Sequence, residues 1–342
     1  MTVLTLGEIL LRLSPPGHQR FVQADRFDVQ YGGSEANVAV ALSRYDLDST
    51  FVTKLPSHPI GQAAVNHLRR HGVDTSFITR GGDRLGTYFY ESGASQRGAS
   101  VIYDRAHSAV TTLTPDEVAL ESLIESAEWF HWSGITPALG EPPLQTVQAV
   151  CRAAQEAGVT VSCDLNYRGK LWDEEEAQRV MQPLMQDVDV CMAGRGDPFS
   201  VLGLEDPQDG PPTPAVEEEA YAQVMRAMKE QFGFRGVALT LRESWSASMN
   251  GWSALLLDDQ DCLSPYRSER YEIDLVDRVG GGDAFAAGLI YGLLEKDDSR
   301  EALEYAVAAS CLKQTIPGDA NLASREEVEA LATGTDSGRV ER

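Results

Sequence analysis

Short apolar runs rich in Val, Leu, Phe and Ile alternate along this chain with longer amphipathic stretches, and that alternation constrains its fold more than any other feature. The runs are Thr2 to Leu6, Ser49 to Thr53, Ala127 to Trp132, Val159 to Cys163, Val188 to Met192 and Val237 to Leu241, each of strand length. Helical patterning covers segments near 34–45, 60–72, 115–125, 143–157, 173–186, 217–232, 283–295 and 299–313. Repeated strand–helix units bury a mostly parallel sheet between two helix layers, so the pattern predicts a three-layer α/β fold.

Two regions break the rhythm. Residues 12–31 and 85–105 contain strand-like runs with no helix between them, which predicts a small sheet outside the main one. The proline-rich stretch from Glu205 to Glu219 reads as a surface loop and not a domain linker, and residues 333–342 as a frayed tail, while the length allows two domains or a single large α/β domain with an appendage. The 342 residues carry 29 basic and 52 acidic side chains, a net charge of -23. Such a surface argues against general binding to nucleic acid or anionic membrane, so any anionic ligand needs a local cationic exception. Only five of the basic residues are lysines, a skew that fits a salt-adapted host or simply a GC-rich genome. Five scattered cysteines without a CxxC pair indicate neither a disulfide framework nor a zinc site, and a reducing cytosol is the expected compartment. The longest apolar run, Ala284 to Leu294, is too short to span a bilayer, and no targeting signal is visible.

The most informative segment is Asp277-Arg278-Val279-Gly280-Gly281-Gly282-Asp283, which runs straight into a helix with Phe285, Leu289 and Leu293 on one face. Glycines at a helix start leave backbone amides bare for a phosphate. An Asp there repels a bound anion but suits a base that deprotonates a hydroxyl attacking a phosphoryl group. A glycine turn followed by an ordinary Asp N-cap accounts for the same residues, and locally the two readings stand level. No G-x-x-x-x-G-K-[ST] is present, nor a G-x-G-x-x-G after the first strand, which weakens P-loop and NAD-dependent dehydrogenase readings.

The run from Asp277 to Asp283 resembles the D-x-x-G-A-G-D signature of the ribokinase-like (PfkB) carbohydrate kinases. Gly32-Gly33-Ser34-Glu35-Ala36-Asn37-Val38-Ala39 resembles the G-G-x-x-x-N-x-A motif of that family, about 240 residues upstream. Further stretches, Gly7 to Ser14, Tyr103-Asp104-Arg105, Asp164 to Arg168 with Leu171-Trp172, Leu241 to Ser244 and Ile316 to Asp319, resemble the 2-keto-3-deoxygluconate kinases within it. The resemblance implies a ribokinase-like, three-layer α/β/α Rossmann-like domain with a β lid from the two irregular regions, and homo-oligomerisation through that lid. It implies ATP and magnesium, leaves a potassium ion open, and implies phosphorylation of a sugar acid. A fructokinase or other hexose or pentose kinase, or an idle sugar or nucleotide sensor of the same fold, are its alternatives.

Carried over residue by residue, the resemblance makes Asp283 the base, kept ionised by a pKa depressed at a helix N-terminus, and gives the amides of Gly280, Gly281 and Gly282 the charge developing on the phosphoryl group. It puts Gly33, Tyr88, Tyr103, Arg105, Arg168 and Asp277 at the sugar acid, with Arg105 and Arg168 as the local cations. Ile135 is expected at the substrate on another ground, since it follows the carboxyl end of the aromatic strand ending at Trp132, the edge that borders the ligand crevice in open α/β sheets. Asn166, Asp197, Thr240, Arg242 and Gly282 fall on the nucleotide side. On their own, the arginines fit ordinary salt bridges and the tyrosines ordinary lid-core packing. Three features depart from the family pattern: Gly281 replaces an alanine, the N-x-x-E motif reads Gly194-Arg195-Gly196-Asp197, and Arg242 stands where a glycine is usual. His67 and His71, four apart, lack a zincin glutamate and read as an exposed charged helix face. Ser310-Cys311-Leu312-Lys313 matches S-x-x-K without the partner motifs of a β-lactamase and reads as plain helix.

Overall fold

The six apolar runs all become strands in the computed structural model, which describes residues 1–206, 214–259 and 264–335, with nothing described of the side chains of 214–217. In chain order the first half comprises β1 (Thr2–Leu6), β2 (Leu10–Ser14), β3 (Asp28–Gly32), α1 (Ser34–Arg44), β4 (Asp48–Leu55), α2 (Pro59–Arg70), β5 (Ile78–Arg80), β6 (Thr87–Glu91), β7 (Ser100–Asp104), α3 (Leu120–Glu125), β8 (Trp129–Ser133) and α4 (Glu141–Ala157). The second half comprises β9 (Thr160–Asp164), α5 (Glu174–Leu184), β10 (Val190–Gly194), α6 (Asp197–Leu202), α7 (Pro214–Phe232), β11 (Gly236–Ser244), β12 (Met249–Leu257), β13 (Tyr266–Arg267), β14 (Tyr271–Asp274), α8 (Gly281–Glu295), α9 (Ser299–Gln314) and α10 (Arg325–Ala332).

The main sheet runs β13-β12-β11-β10-β9-β8-β1-β4-β5, with β14 also on β12. It is parallel from β5 to β11, and β12 joins antiparallel. Side chains alternate across a strand, and this alternation supplies two cores. Leu4, Leu6, Phe130, Trp132, Val237 and Leu239 pack with α4, α5 and α7 on one face. Val3, Trp129, Met192 and Ala238 pack with α1, α8 and α9 on the other. Trp129 to Trp132 is therefore core on both faces.

The two irregular regions form a separate sheet in the order β3-β2-β6-β7. Its underside, Leu10, Tyr88 and Tyr90, packs with Val101 and Val279. Arg12 on β2 ties this lid to the body, because its guanidinium pairs with Asp277 and Asp319 in a buried cluster.

Several elements differ from the expectation. The stretch read as a loop to Glu219 is already helical from Pro214, and residues 207–213 lie outside the described residues. Of the helix expected over 115–125, Pro115–Glu117 is a 3-10 turn and only Leu120–Glu125 is α-helical. Of the expected tail, 336–342 lie outside the described residues, as does Cys262; the other four cysteines are free.

Candidate active site

The sheet order brings the carboxyl ends of β1, β8, β9, β10 and β11 side by side beneath the lid, in registers that pair Asp164 with Met192 and Gly194 with Thr240. Open α/β sheets bind ligands outside those strand ends. Here the crevice is a cavity of about 640 Å³ bounded by the sheet edge, the lid and the amino end of α8. Gly33, Tyr88, Tyr103, Arg105, Ile135, Asn166, Arg168, Asp197, Thr240, Arg242, Gly280, Gly281, Gly282 and Asp283 all line it.

Asp277 does not, which corrects its expected place at the substrate. It is buried, with Oδ2 accepting from Arg12 Nη2 at 2.7 Å and from the Gly318 amide at 3.1 Å, and Oδ1 accepting from the Val279 amide at 3.1 Å. A carboxylate so fully engaged braces the glycine turn.

Gly280 sits in the left-handed region at φ 80°, and a Cβ there would lie 1.8 Å from the Asp319 carbonyl oxygen. That turn lets α8 begin at Gly281, so Asp283 is its third residue and not the N-cap. The first amides of a helix have no partner inside it, and those of Gly281, Gly282 and Asp283 stand at the cavity wall. Asp283 Oδ1 accepts from Ser34 Oγ at 2.8 Å and Oδ2 from Asn37 Nδ2 at 2.7 Å, while Asn166 Nδ2 donates to Ser34 Oγ at 3.0 Å. The expected depression of its pKa is overturned: burial pushes the Asp283 carboxyl up, and the bonds from Asn37 and Ser34 only partly oppose this. Gly33 lets the start of α1 approach the segment between β1 and β2 closely, since a Cβ there would fall 1.8 Å from the Glu8 carbonyl oxygen.

Deeper in the wall, burial raises Asp164 well above the ordinary aspartate value, and the charges of Asp197 and Asp283 add to the rise. Asp197 is also raised by burial, although it accepts from the Gly194 amide at 2.7 Å. Five arginines, at 105, 168, 195, 242 and 278, line the same cavity. Arg242 stacks over Trp252 at 5.1 Å and is pushed down to about 10 by desolvation and by its neighbours Arg278 and Arg168. This is the local cationic exception that the net charge requires. Arg105 is the cation already neutralised, since its Nε and Nη2 both donate to Glu8 Oε2. Arg168 Nη1 donates to the Tyr167 carbonyl at 2.9 Å, and its charge partly offsets the rise at Asp164, Asp197 and Asp283.

Sequence reasoning missed Ser34, Asn37, Asp164, Arg278 and Asp319 as cavity residues. Ser34 and Asn37 were legible, because three residues apart at a helix start they share a face. His67 and His71 pack ring to ring at 5.0 Å, and Tyr31 covers His67 at 5.5 Å. They are not an exposed face, and burial pushes His67 down to about 4. Among the described residues no cluster of three or more His, Cys, Asp or Glu is arranged to hold a metal.

Comparison with known proteins agrees with this geometry. Residues 2–230 and 258–325 match the pfkB family carbohydrate kinase model. The chain is 36% identical over 336 residues to a 2-dehydro-3-deoxygalactonokinase of Haloferax volcanii, covering 98% of each. It is 30% identical over 338 residues to a 2-dehydro-3-deoxygluconokinase of Thermoproteus tenax, covering 97% of this chain and 94% of that one. The crystal structure of a 2-dehydro-3-deoxygluconokinase from Thermotoga maritima superimposes with a TM-score of 0.93 at 51% identity, covering 98% of both chains.

Proposed function

Since the chain belongs to the pfkB family of carbohydrate kinases, we propose that it transfers the γ-phosphoryl group of ATP to the terminal hydroxyl of a 2-keto-3-deoxy sugar acid, foremost 2-keto-3-deoxygluconate, giving the 6-phosphate. The observation that carries this reading is Asp283, held by Ser34 and Asn37 at the cavity wall beside the glycine amides. In the reaction the sugar oxygen bonds to the γ-phosphorus as its proton passes to an Asp283 oxygen. The bond from that phosphorus to the bridging oxygen breaks, and its electron pair stays on the β-phosphate. Charge growing on the transferred group meets the amides at Gly280, Gly281 and Gly282, which are in place before the reaction. A base of raised proton affinity suits so weak an acid as an alcohol.

The lid side of the cavity, with Gly33, Tyr88, Tyr103, Arg105 and Ile135, takes the sugar acid. Arg168 supplies the cation for its carboxylate, because Arg105 already answers Glu8. Thr240, Arg242 and Asn166 take the nucleotide. Asp164 and Asp197 fit magnesium: each is raised by burial, Asp164 further by its acidic neighbours, which a divalent cation would relieve, and magnesium usually takes only one or two carboxylates beside phosphate and water. When bound, magnesium neutralises phosphate charge and orients the triphosphate. The same proposal takes 1–332 as one catalytic domain acting in the cytoplasm. It assembles through the lid, whose outer face leaves Val29 and Ile102 more than half exposed.

The test is Asp283→Asn. The variant folds and binds the sugar acid, and its kcat falls at least about a hundredfold; an unchanged kcat moves the base elsewhere. In a coupled assay over a substrate panel, preference for fructose or ribose over keto-deoxy acids overturns the substrate assignment.

A further inference from the structure

Lys313 is one of only five lysines in the chain, and it is fully buried. It lies on α9 with Ser310 one turn before it, and both reach the glycine turn. Ser310 Oγ donates to the Gly281 carbonyl at 2.7 Å. Lys313 Nζ donates to the Asp277 carbonyl at 3.0 Å and to the Ile316 carbonyl at 3.4 Å. The side chain passes directly beneath the turn, since a Cβ at Gly280 would stand 3.3 Å from Lys313 Cε. Around it, Asp277 and Asp319 carry two negative charges and Arg12 one positive. A charged Lys313 completes a neutral buried set, whereas a neutral amine leaves one carboxylate uncompensated. Burial pulls the ammonium down from the ordinary lysine value, and both carboxylates oppose that pull.

Potassium is held in proteins by rings of carbonyl oxygens that replace its hydration shell. The Asp277 and Ile316 carbonyls that converge beneath the turn already accept from an ammonium. The residues present therefore do not fit a potassium ion there.

We propose that Lys313 is a positioning residue of phosphoryl transfer: its ammonium is the built-in monocation of the glycine turn, and it makes catalysis independent of any free monovalent cation. The inference rests on the kinase reading above. The charge holds the Asp277 and Ile316 carbonyls together from behind, and so sets the direction in which the amides of residues 280 to 282 face the transferred group. It also adds a positive potential on the side where negative charge grows, which a neutral bracing residue would not.

The experiment compares steady-state kinetics in potassium, sodium and choline chloride at one ionic strength, with Tris salts of ATP. Wild-type kcat is the same in all three. Lys313→Met lowers kcat about a hundredfold, the loss typical of one electrostatic donor, with little change in KM for the sugar acid. In Lys313→Ala, potassium or ammonium ions restore part of kcat and raise Tm above its value in choline; neither salt separates from choline in the wild type. Potassium activation of the wild type overturns the proposal without touching the kinase reading. A folded Lys313→Met with wild-type kcat, or Lys313→Ala that no cation rescues, overturns it too. If neither variant folds, the wild-type cation panel still decides. A wild type that phosphorylates no sugar acid in any of the salts overturns the kinase reading itself, and this proposal with it.

Discussion

At Glu35 burial and hydrogen bonding pull in opposite directions, and burial wins. Its Oε1 accepts from the Ser133 amide at 3.0 Å, from Ser133 Oγ at 2.7 Å and from Thr136 Oγ1 at 2.9 Å, all of which favour the carboxylate. The side chain is 1% exposed, and desolvation still pushes its pKa up from 4.5 to about 7. The folded chain therefore holds a proton between pH 4.5 and about 7 that the unfolded chain has released. Unfolding free energy consequently falls as pH rises through that window and levels off above it. Glu35→Gln removes this titration while keeping an acceptor oxygen. The stability difference between wild type and Glu35→Gln, from urea unfolding at a series of pH values, shifts in favour of the variant by at most about 3 kcal/mol from pH 4.5 to 7. A flat difference would mean that Glu35 stays ionised throughout. The same competition explains Asp283. From sequence, the helix end was the visible influence on that carboxyl and depressed it; the burial that outweighs it arises where α1, far away in the chain, packs against it through Ser34 and Asn37.

At the scale of elements, the start of α8 decides where the glycine amides point. Gly280→Ala puts a side chain on a left-handed residue and against the Asp319 carbonyl oxygen, so the helix start must shift. The conformational part alone costs roughly 1–2 kcal/mol, and the collision adds to it. The expected outcome is a lowered urea midpoint with a fall in kcat larger than any rise in KM; wild-type kinetics in a destabilised variant would detach the turn from catalysis. This helix start also marks how far local patterning reaches. Six of the seven parallel strands were legible as short apolar runs, and the lid because its strands lack helices; the seventh, β5, is three residues long, too short for a run to show. β12 was not, although Ala254-Leu255-Leu256-Leu257 is as apolar as the others, because it returns antiparallel from β11 without the helix that marks the other strands. α6 is six residues long, too short for a period to show. α10 buries only Val328, although its capping box of Ser324 and Glu327 is a sequence signal that was passed over. The position of Asp283 depended on the backbone conformation of one glycine, which composition does not reveal.

Over the whole molecule, a net charge of -23 works against the compact state by self-repulsion, while the arginines at 168, 242 and 278 keep one wall of the cavity positive. Salt acts on these terms unequally. The Debye length falls from about 30 Å at 0.01 M to about 3 Å at 1 M, so repulsion among distant surface carboxylates is screened away. Exposed pairs such as Arg179 with Glu176 weaken as well, but such pairs contribute little in the first place. The buried set of Arg12, Asp277, Asp319 and Lys313 is sheltered from mobile ions, so the lid stays tied to the body at any ionic strength. Relief of repulsion therefore dominates, and Tm rises steadily between low and molar salt. Because screening depends on ion charge and not on ion identity, potassium chloride and choline chloride raise it alike. A Tm that stays flat in both salts would show that the acidic surface is already relaxed by its own spacing, and would remove the charge-based case for a salt-adapted chain. A rise in potassium alone would instead point to a specific cation site, and so would count against Lys313 as the resident cation.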